Sequence, residues 1–207
     1  MQKLVAGVHQ FQKKYFQAHR ALFKELARGQ RPETLFITCS DSRVVPHLIT
    51  STRPGDLFLV RNIGNVVPHP SLPGGTAAAI QYAVEALSVE NVVVCGHTLC
   101  GAMQAILQPE KIEHMAFVKR WVDQSTRVHD IVRERYASLE GDALVSAAAQ
   151  ENVLVQLEHL REYPFIAERL ERGSLHVAGW VFKIETGTVF EYDAETGQFV
   201  PIENRGA

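Results

Sequence analysis

The sequence predicts an α/β fold. Its centre is a mainly parallel sheet with an antiparallel C-terminal edge hairpin, flanking helices and a helix at the N-terminus. Three observations carry this reading. Short β-branched apolar runs at 34–39, 56–60 and 91–95 have the continuous hydrophobicity of strands buried on both faces. Segments of helical period lie between and after them, as the crossovers of a parallel sheet require. Beyond residue 174 the pattern turns to short apolar runs punctuated by Thr186-Gly187 and Thr196-Gly197, which reads as hairpins. No internal repeat, low-complexity segment or boundary interrupts the chain, so residues 1–207 read as one domain.

Residues 3–28 carry Leu4, Val8, Phe11, Tyr15, Leu22 and Leu26 along one stripe, the mark of an amphipathic helix, which Gly29 ends. Gln30-Arg31-Pro32 is a linker into the first strand, 34–39. Pro46 suits the first turn of a short helix. Pro54-Gly55 turns the chain into the second strand, and Arg61-Asn62-Ile63-Gly64-Asn65 forms a loop at its carboxyl end. Pro68 to Gly75 is irregular. Residues 76–87 form a helix packed through Ala77, Ile80, Ala83, Val84 and Leu87. The third strand, 91–95, leads to a helix from about Cys100 to Leu107. Helices follow over 113–137 and 142–160, then a short one over 165–170 after Tyr163-Pro164. Residues 175–184, 188–192 and Phe199-Val200 are the last strands.

Composition narrows the function. Hydrophobic content of 46% and charged content of 21% are ordinary for a soluble globular domain. A net charge of −2 gives no reason to expect nucleic acid or an anionic membrane as partner. No stretch approaches the ~20 apolar residues that span a bilayer, and the N-terminus lacks the apolar core of a signal peptide. Three cysteines cannot all pair internally, which points to a reducing, cytoplasmic setting.

The chemistry concentrates at two strand ends. Val92-Val93-Val94-Cys95-Gly96-His97-Thr98-Leu99-Cys100-Gly101 places His97 and Cys100 just beyond the third strand. Gly96 and Gly101 are expected to allow tight turns there. An imidazole and a thiolate make half of a tetrahedral zinc site. Leu35-Phe36-Ile37-Thr38-Cys39-Ser40-Asp41-Ser42-Arg43 repeats the arrangement, and Cys39 supplies a second thiolate. Cys39, His97 and Cys100 form a Cys₂His set with a fourth position open, the pattern of a catalytic zinc, if the two strands are neighbours. Arg43 is placed to hold the Asp41 carboxylate through a bidentate pair. A structural site is the alternative, with Asp41 as its fourth ligand, and the sequence leaves both open. Cys95 reads as a small buried strand residue.

Cys39-Ser40-Asp41-Ser42-Arg43, Arg61-Asn62-Ile63-Gly64-Asn65 and Cys95-Gly96-His97-Thr98-Leu99-Cys100-Gly101 together resemble the β-class carbonic anhydrases, over nearly the whole chain and closest to the plant and cyanobacterial branch. The resemblance implies Zn²⁺-dependent, reversible hydration of CO₂ to bicarbonate through zinc-bound hydroxide, with Asp41 and Arg43 as the catalytic dyad. It implies an open form, in which Asp41 pairs with Arg43, and a closed form, in which Asp41 binds zinc; the open form is expected. It implies an apolar substrate pocket of Phe58, Ile63 and Tyr82 with Gly101 at its floor, although each of these taken alone reads first as ordinary core packing. It implies a homodimer or higher even oligomer whose N-terminal helix reaches over the partner, where the sequence alone would let that helix pack on its own domain. It also implies a Gln30 that binds substrate in the neighbouring subunit, though alone Gln30 reads equally as a solvated linker residue.

Some bacterial members bind bicarbonate at a non-catalytic site that uses a Trp three residues before the first Cys ligand. This chain has Phe36 there, so bicarbonate shut-off is not expected. Two other functions compete: a related CS₂ or COS hydrolase, and a zinc-stabilised scaffold of a carbon-fixing assembly. Cyanobacterial relatives can carry a C-terminal extension that recruits carboxysome shell proteins. The chain ends at Ala207, soon after the last strand, so such recruitment and a carboxysome location are weakly expected.

Overall fold

The computed structural model describes residues 1–203; the chain end at Ala207, on which the recruitment expectation bears, lies outside them. Two compact units form, Met1–Arg31 and Pro32–Ala207.

The first unit is helical but not one helix. An α-helix, Gln2–Gln10, passes into a π-helical stretch, Phe11–Tyr15, and the chain breaks at His19 (φ −114°, ψ 25°) before Arg20–Leu26. The His19 ring nitrogen Nδ1 lies 2.8 Å from the Tyr15 carbonyl oxygen, and the His19 ring stacks on Tyr15 at 4.2 Å. That local bond competes with the helix ladder and accounts for a break that hydrophobic spacing does not register. Phe11, Phe16 and Phe23 cluster, Phe16 and Phe23 at 5.1 Å. Leu4 (67% exposed) and Val8 (53%) nevertheless lie open on the single chain.

The second unit is built on a six-stranded sheet of order β2-β1-β3-β4-β5-β6. The strands are β1 (Thr34–Cys39), β2 (Leu57–Asn62), β3 (Asn91–His97), β4 (His176–Lys183), β5 (Thr188–Asp193) and β6 (Gln198–Pro201). β2, β1, β3 and β4 run parallel, while β5 and β6 add antiparallel. The mainly parallel sheet with its antiparallel edge therefore forms as the sequence predicts. β1 and β3 are direct neighbours, with Thr38 opposite Cys95.

One sheet face, carrying Leu35, Ile37, Val92, Val94 and Val181, packs on Ile80, Ala83, Val153, Leu157, Leu160 and Ile166 from the helical segments. Each such fully buried aliphatic side chain contributes roughly 1.5–3 kcal/mol. The other face holds Phe36, Val93 and Cys95 against half-buried Leu57, Leu59, Trp180 and Phe182. Cys95 is the buried strand residue expected, and burial pushes its thiol up to about 12.

The long helix Gly141–Arg161 crosses β3 closely. A Cβ at Gly96 would stand 2.9 Å from Val153 Cγ2 and 3.2 Å from the Ala149 carbonyl oxygen. Gly96 thus lies inside β3, where the helix demands it, and not in a turn. Nothing lies within 4 Å of a Cβ at Gly101. The tight turn falls instead on Leu99, at φ +56°. The expected helix 113–137 is divided into Ala116–Val122 and Thr126–Arg135 by a 3₁₀ turn at Asp123–Ser125. Among the described residues, no helix is long and apolar enough to cross a membrane.

Candidate metal centre

Cys39 is the last residue of β1, His97 the last of β3, and Cys100 precedes the helix Gly101–Leu107. Parallel pairing of β1 with β3 sends both strands to the same sheet edge, where open α/β sheets place ligands. All three side chains are buried, and their donor atoms lie within 4.8 Å of one another.

The chemistry of the donors fits a cation. The Thr98 carbonyl oxygen lies 2.8 Å from His97 Nδ1. A carbonyl only accepts, so Nδ1 carries the proton and Nε2 presents its lone pair. Nε2 is fully buried and has no hydrogen-bond partner among the described residues. A buried polar atom without a partner calls for an occupant. The Cys100 thiol bonds to Cys39 and draws the Cys39 thiol down to about 4 against the opposing effect of burial, with backbone groups of Gly64 and Asp41 assisting. The same contact and burial push Cys100 well up. The pair thus gives up one proton readily and holds the second, which a divalent cation bound there would displace.

Asp41 stands at the rim. Arg43 donates from Nε to Oδ1 at 2.9 Å and from Nη2 to Oδ2 at 2.8 Å, and its own backbone N–H reaches Oδ1 at 2.9 Å. These bonds hold the Asp41 carboxyl well below the usual carboxylate range. Oδ2 lies 3.8 Å from His97 Nε2, too far for a hydrogen bond. Arg43 Nη2 also donates to the Leu99 carbonyl at 3.0 Å, which ties the β1 loop to the β3 loop.

Two loops receive further braces. Arg61 donates to the carbonyls of Cys39 (3.1 Å) and Asp41 (2.8 Å), and Asn62 Nδ2 to that of Val66 (2.8 Å). Both residues close β2 instead of lying in a loop, and they fix backbone. Residues 63–68 hang from the helices beyond: Trp121 Nε1 donates to the Ile63 carbonyl (2.7 Å), Asn152 Nδ2 to that of Gly64 (2.9 Å) and the Tyr163 hydroxyl to that of Pro68 (2.8 Å). Buried Gln156 accepts from Val67 N–H at 2.7 Å and donates to Asn152 Oδ1 at 2.9 Å. Gly64, at φ +77°, has room for no Cβ, since Ala102 Cβ would be 2.8 Å away.

Phe58 and Tyr82 stand with ring centroids 6.0 Å apart, and Tyr82 begins a π-helical turn, Tyr82–Ala86. Tyr82 (50%) and Ile63 (44%) are exposed on the single chain. Gly101 is exposed beside Cys100. Gln30 is exposed and belongs to the first unit. The braces from Trp121, Asn152, Gln156 and Tyr163 escape sequence reading, because each joins residues 58 to 95 apart in the chain.

Fold and site define a parallel α/β protein with a buried Cys₂His cluster suited to a metal at the carboxyl edge of its sheet. Comparison with known proteins narrows the class. The carbonic anhydrase family profile matches residues 34–189. A carbonic anhydrase of Synechocystis is 43% identical over 99% of this chain and 76% of its own length. The structure of the β-carbonic anhydrase CcaA superimposes with a TM-score of 0.96, at 43% identity, over 99% of this chain and 93% of that one. One of the tetrameric β-carbonic anhydrases of Sordaria macrospora superimposes with a TM-score of 0.83, at 31% identity, over 92% of this chain and 95% of that one. The chain belongs to the β-class carbonic anhydrases.

Proposed function

We propose that this chain hydrates CO₂ reversibly to bicarbonate and a proton, using one zinc held by Cys39, His97 and Cys100. The observation that carries the reading is the buried, unpartnered His97 Nε2 facing two cysteine sulfurs, a donor set of the kind zinc favours. Zinc bound there supplies Lewis acidity, lowering the pKa of a water to ~7 so that a nucleophile exists at neutral pH.

The chain's own groups do the rest. Asp41 accepts a hydrogen bond from the attacking water and orients it towards CO₂. Arg43 keeps Asp41 ionised and turned away from the cluster, which is the open form. Phe58, Ile63 and Tyr82 offer the apolar surface that a small apolar substrate needs, and Gly101 leaves space beside Cys100. The exposed apolar stripe of the N-terminal helix supports an even oligomer, for which the Sordaria tetramers are a precedent, with Gln30 acting in the neighbouring site. Three unpaired thiols support a reducing cytosol as location.

Metal content and CO₂ hydration measured on one preparation test the reading. One zinc per chain with hydration activity is expected. Zinc without hydration would favour a scaffold, or a hydrolase of CS₂ or COS.

A further inference from the structure

We propose that Glu185 is a positioning residue for the metal loop, acting through Thr98; the inference rests on the Cys₂His reading above. Thr98 lies between His97 and the left-handed Leu99, and it is buried. All of its polar groups are engaged. Its backbone N–H donates to the Phe182 carbonyl at 3.0 Å, continuing the β3–β4 ladder by one bond. Its hydroxyl accepts from the Ile184 N–H at 3.1 Å and donates to the Glu185 carboxylate at 2.5 Å. Its carbonyl accepts from His97 Nδ1 at 2.8 Å.

The end of β4 and the segment after it therefore grip Thr98 at three points, and the fourth contact sets the imidazole. The grip is needed because the following residue is not at rest. Leu99 has no glycine's freedom, and an L-residue in the left-handed region holds that conformation only when its surroundings fix it. Arg43 holds the Leu99 carbonyl from one side, and Thr98 is held from the other. The bond from Thr98 to Glu185 is the charge-assisted one of the set and hence the strongest. Glu185 touches none of the three metal ligands and is exposed, so its removal opens no core cavity. Its role is to keep the Thr98 carbonyl, and with it His97 Nε2, aimed at the two sulfurs.

The test is the zinc affinity of the full chain, read by competition with a chromophoric chelator, with the visible spectrum of the cobalt-substituted protein as second readout. Glu185→Ala is expected to weaken zinc by about tenfold or more and to alter the cobalt bands, while the melting of the metal-free chain stays put. Glu185→Gln, which keeps an acceptor oxygen within reach, is expected to recover most of the affinity. Thr98→Val, which also removes the bond from Ile184, should weaken zinc at least as much as Glu185→Ala, and the double variant should lose no more than Thr98→Val alone. Wild-type affinity in Glu185→Ala, no recovery with Gln, or additive losses in the double variant would overturn the role of Glu185 alone. A wild-type chain that binds no zinc would overturn the Cys₂His reading with it.

Discussion

Arg43 grips both carboxylate oxygens of Asp41, Nε to Oδ1 at 2.9 Å and Nη2 to Oδ2 at 2.8 Å. The pair lies within a three-residue segment, so no distant part of the fold has to arrive for it to form. On the proposed reading it decides whether Asp41 serves the reacting water or the metal. Asp41→Ala should therefore keep zinc and lose about 10²-fold or more in turnover. Zinc analysis and hydration rate on that variant check this; loss of zinc would instead make Asp41 a ligand.

The same pairing has a pH signature. The Asp41 carboxyl is depressed in the folded chain. Its stabilising effect is thus fully present above the ordinary carboxylate pKa of about 3.9, and is lost as pH falls from there through the folded value. The ¹³C carboxyl resonance of Asp41 should not move between about pH 8 and about pH 5. A titration step inside that range would show that Arg43 does not hold it.

Replacement of Cys39, His97 or Cys100 by Ala should abolish both zinc binding and hydration. With only two donors left in a buried cluster, the coordination that zinc prefers cannot be reached. Full zinc occupancy in Cys100→Ala would count against the assignment.

If Gln30 works in the neighbouring site, mixed dimers of Gln30→Ala and Cys39→Ala chains carry one site with both defects and one with neither. Activity equivalent to one intact site should return on mixing. No recovery would place Gln30 in its own subunit.

Phe36 is buried with its ring edge-on to Trp180 at 5.9 Å, and the Trp180 Nε1 is directed to Glu191 at 3.5 Å. A buried bicarbonate there would lack a donor, at a cost of about 1–3 kcal/mol. Hydration rate plotted against bicarbonate concentration should show no sigmoidal shut-off at neutral to mildly alkaline pH. Such a shut-off would show that another group serves the anion.

Much of this architecture is legible in the sequence. β1 occupies the predicted 34–39, and β3 extends the predicted run only through Gly96 and His97. The strong signals are local: β-branched runs, and cysteine and histidine just past them. What escapes is contact between distant segments. Nothing near Ile63 announces that Trp121 will hold its carbonyl, and nothing near Thr98 announces Glu185. The glycines mislead for the same reason. Gly96 reads as a turn residue, yet it answers to a helix that begins at residue 141.

That crossing is itself testable. Gly96→Ala would put a methyl 2.9 Å from Val153, and should destabilise the chain by about 1–3 kcal/mol in chemical denaturation. Gly101→Ala meets nothing within 4 Å and should leave stability nearly unchanged. Equal effects would mean that helix and strand can part to make room.

The neighbouring placement of β1 and β3 also bears on the order in which a newly made chain becomes an enzyme. The Thr38–Cys95 hydrogen bond joins residues 57 apart, and the grip on Thr98 arrives from 87 residues further on. A nascent chain that has just released β1 offers one of the three donors of the cluster. Only after the crossover has been synthesised and β3 has docked do three donors share one place. Closing that long loop carries an entropic cost that has to be met before the three donors meet. If the cluster holds zinc as proposed, the metal would be captured late, sealing a sheet already paired instead of seeding it.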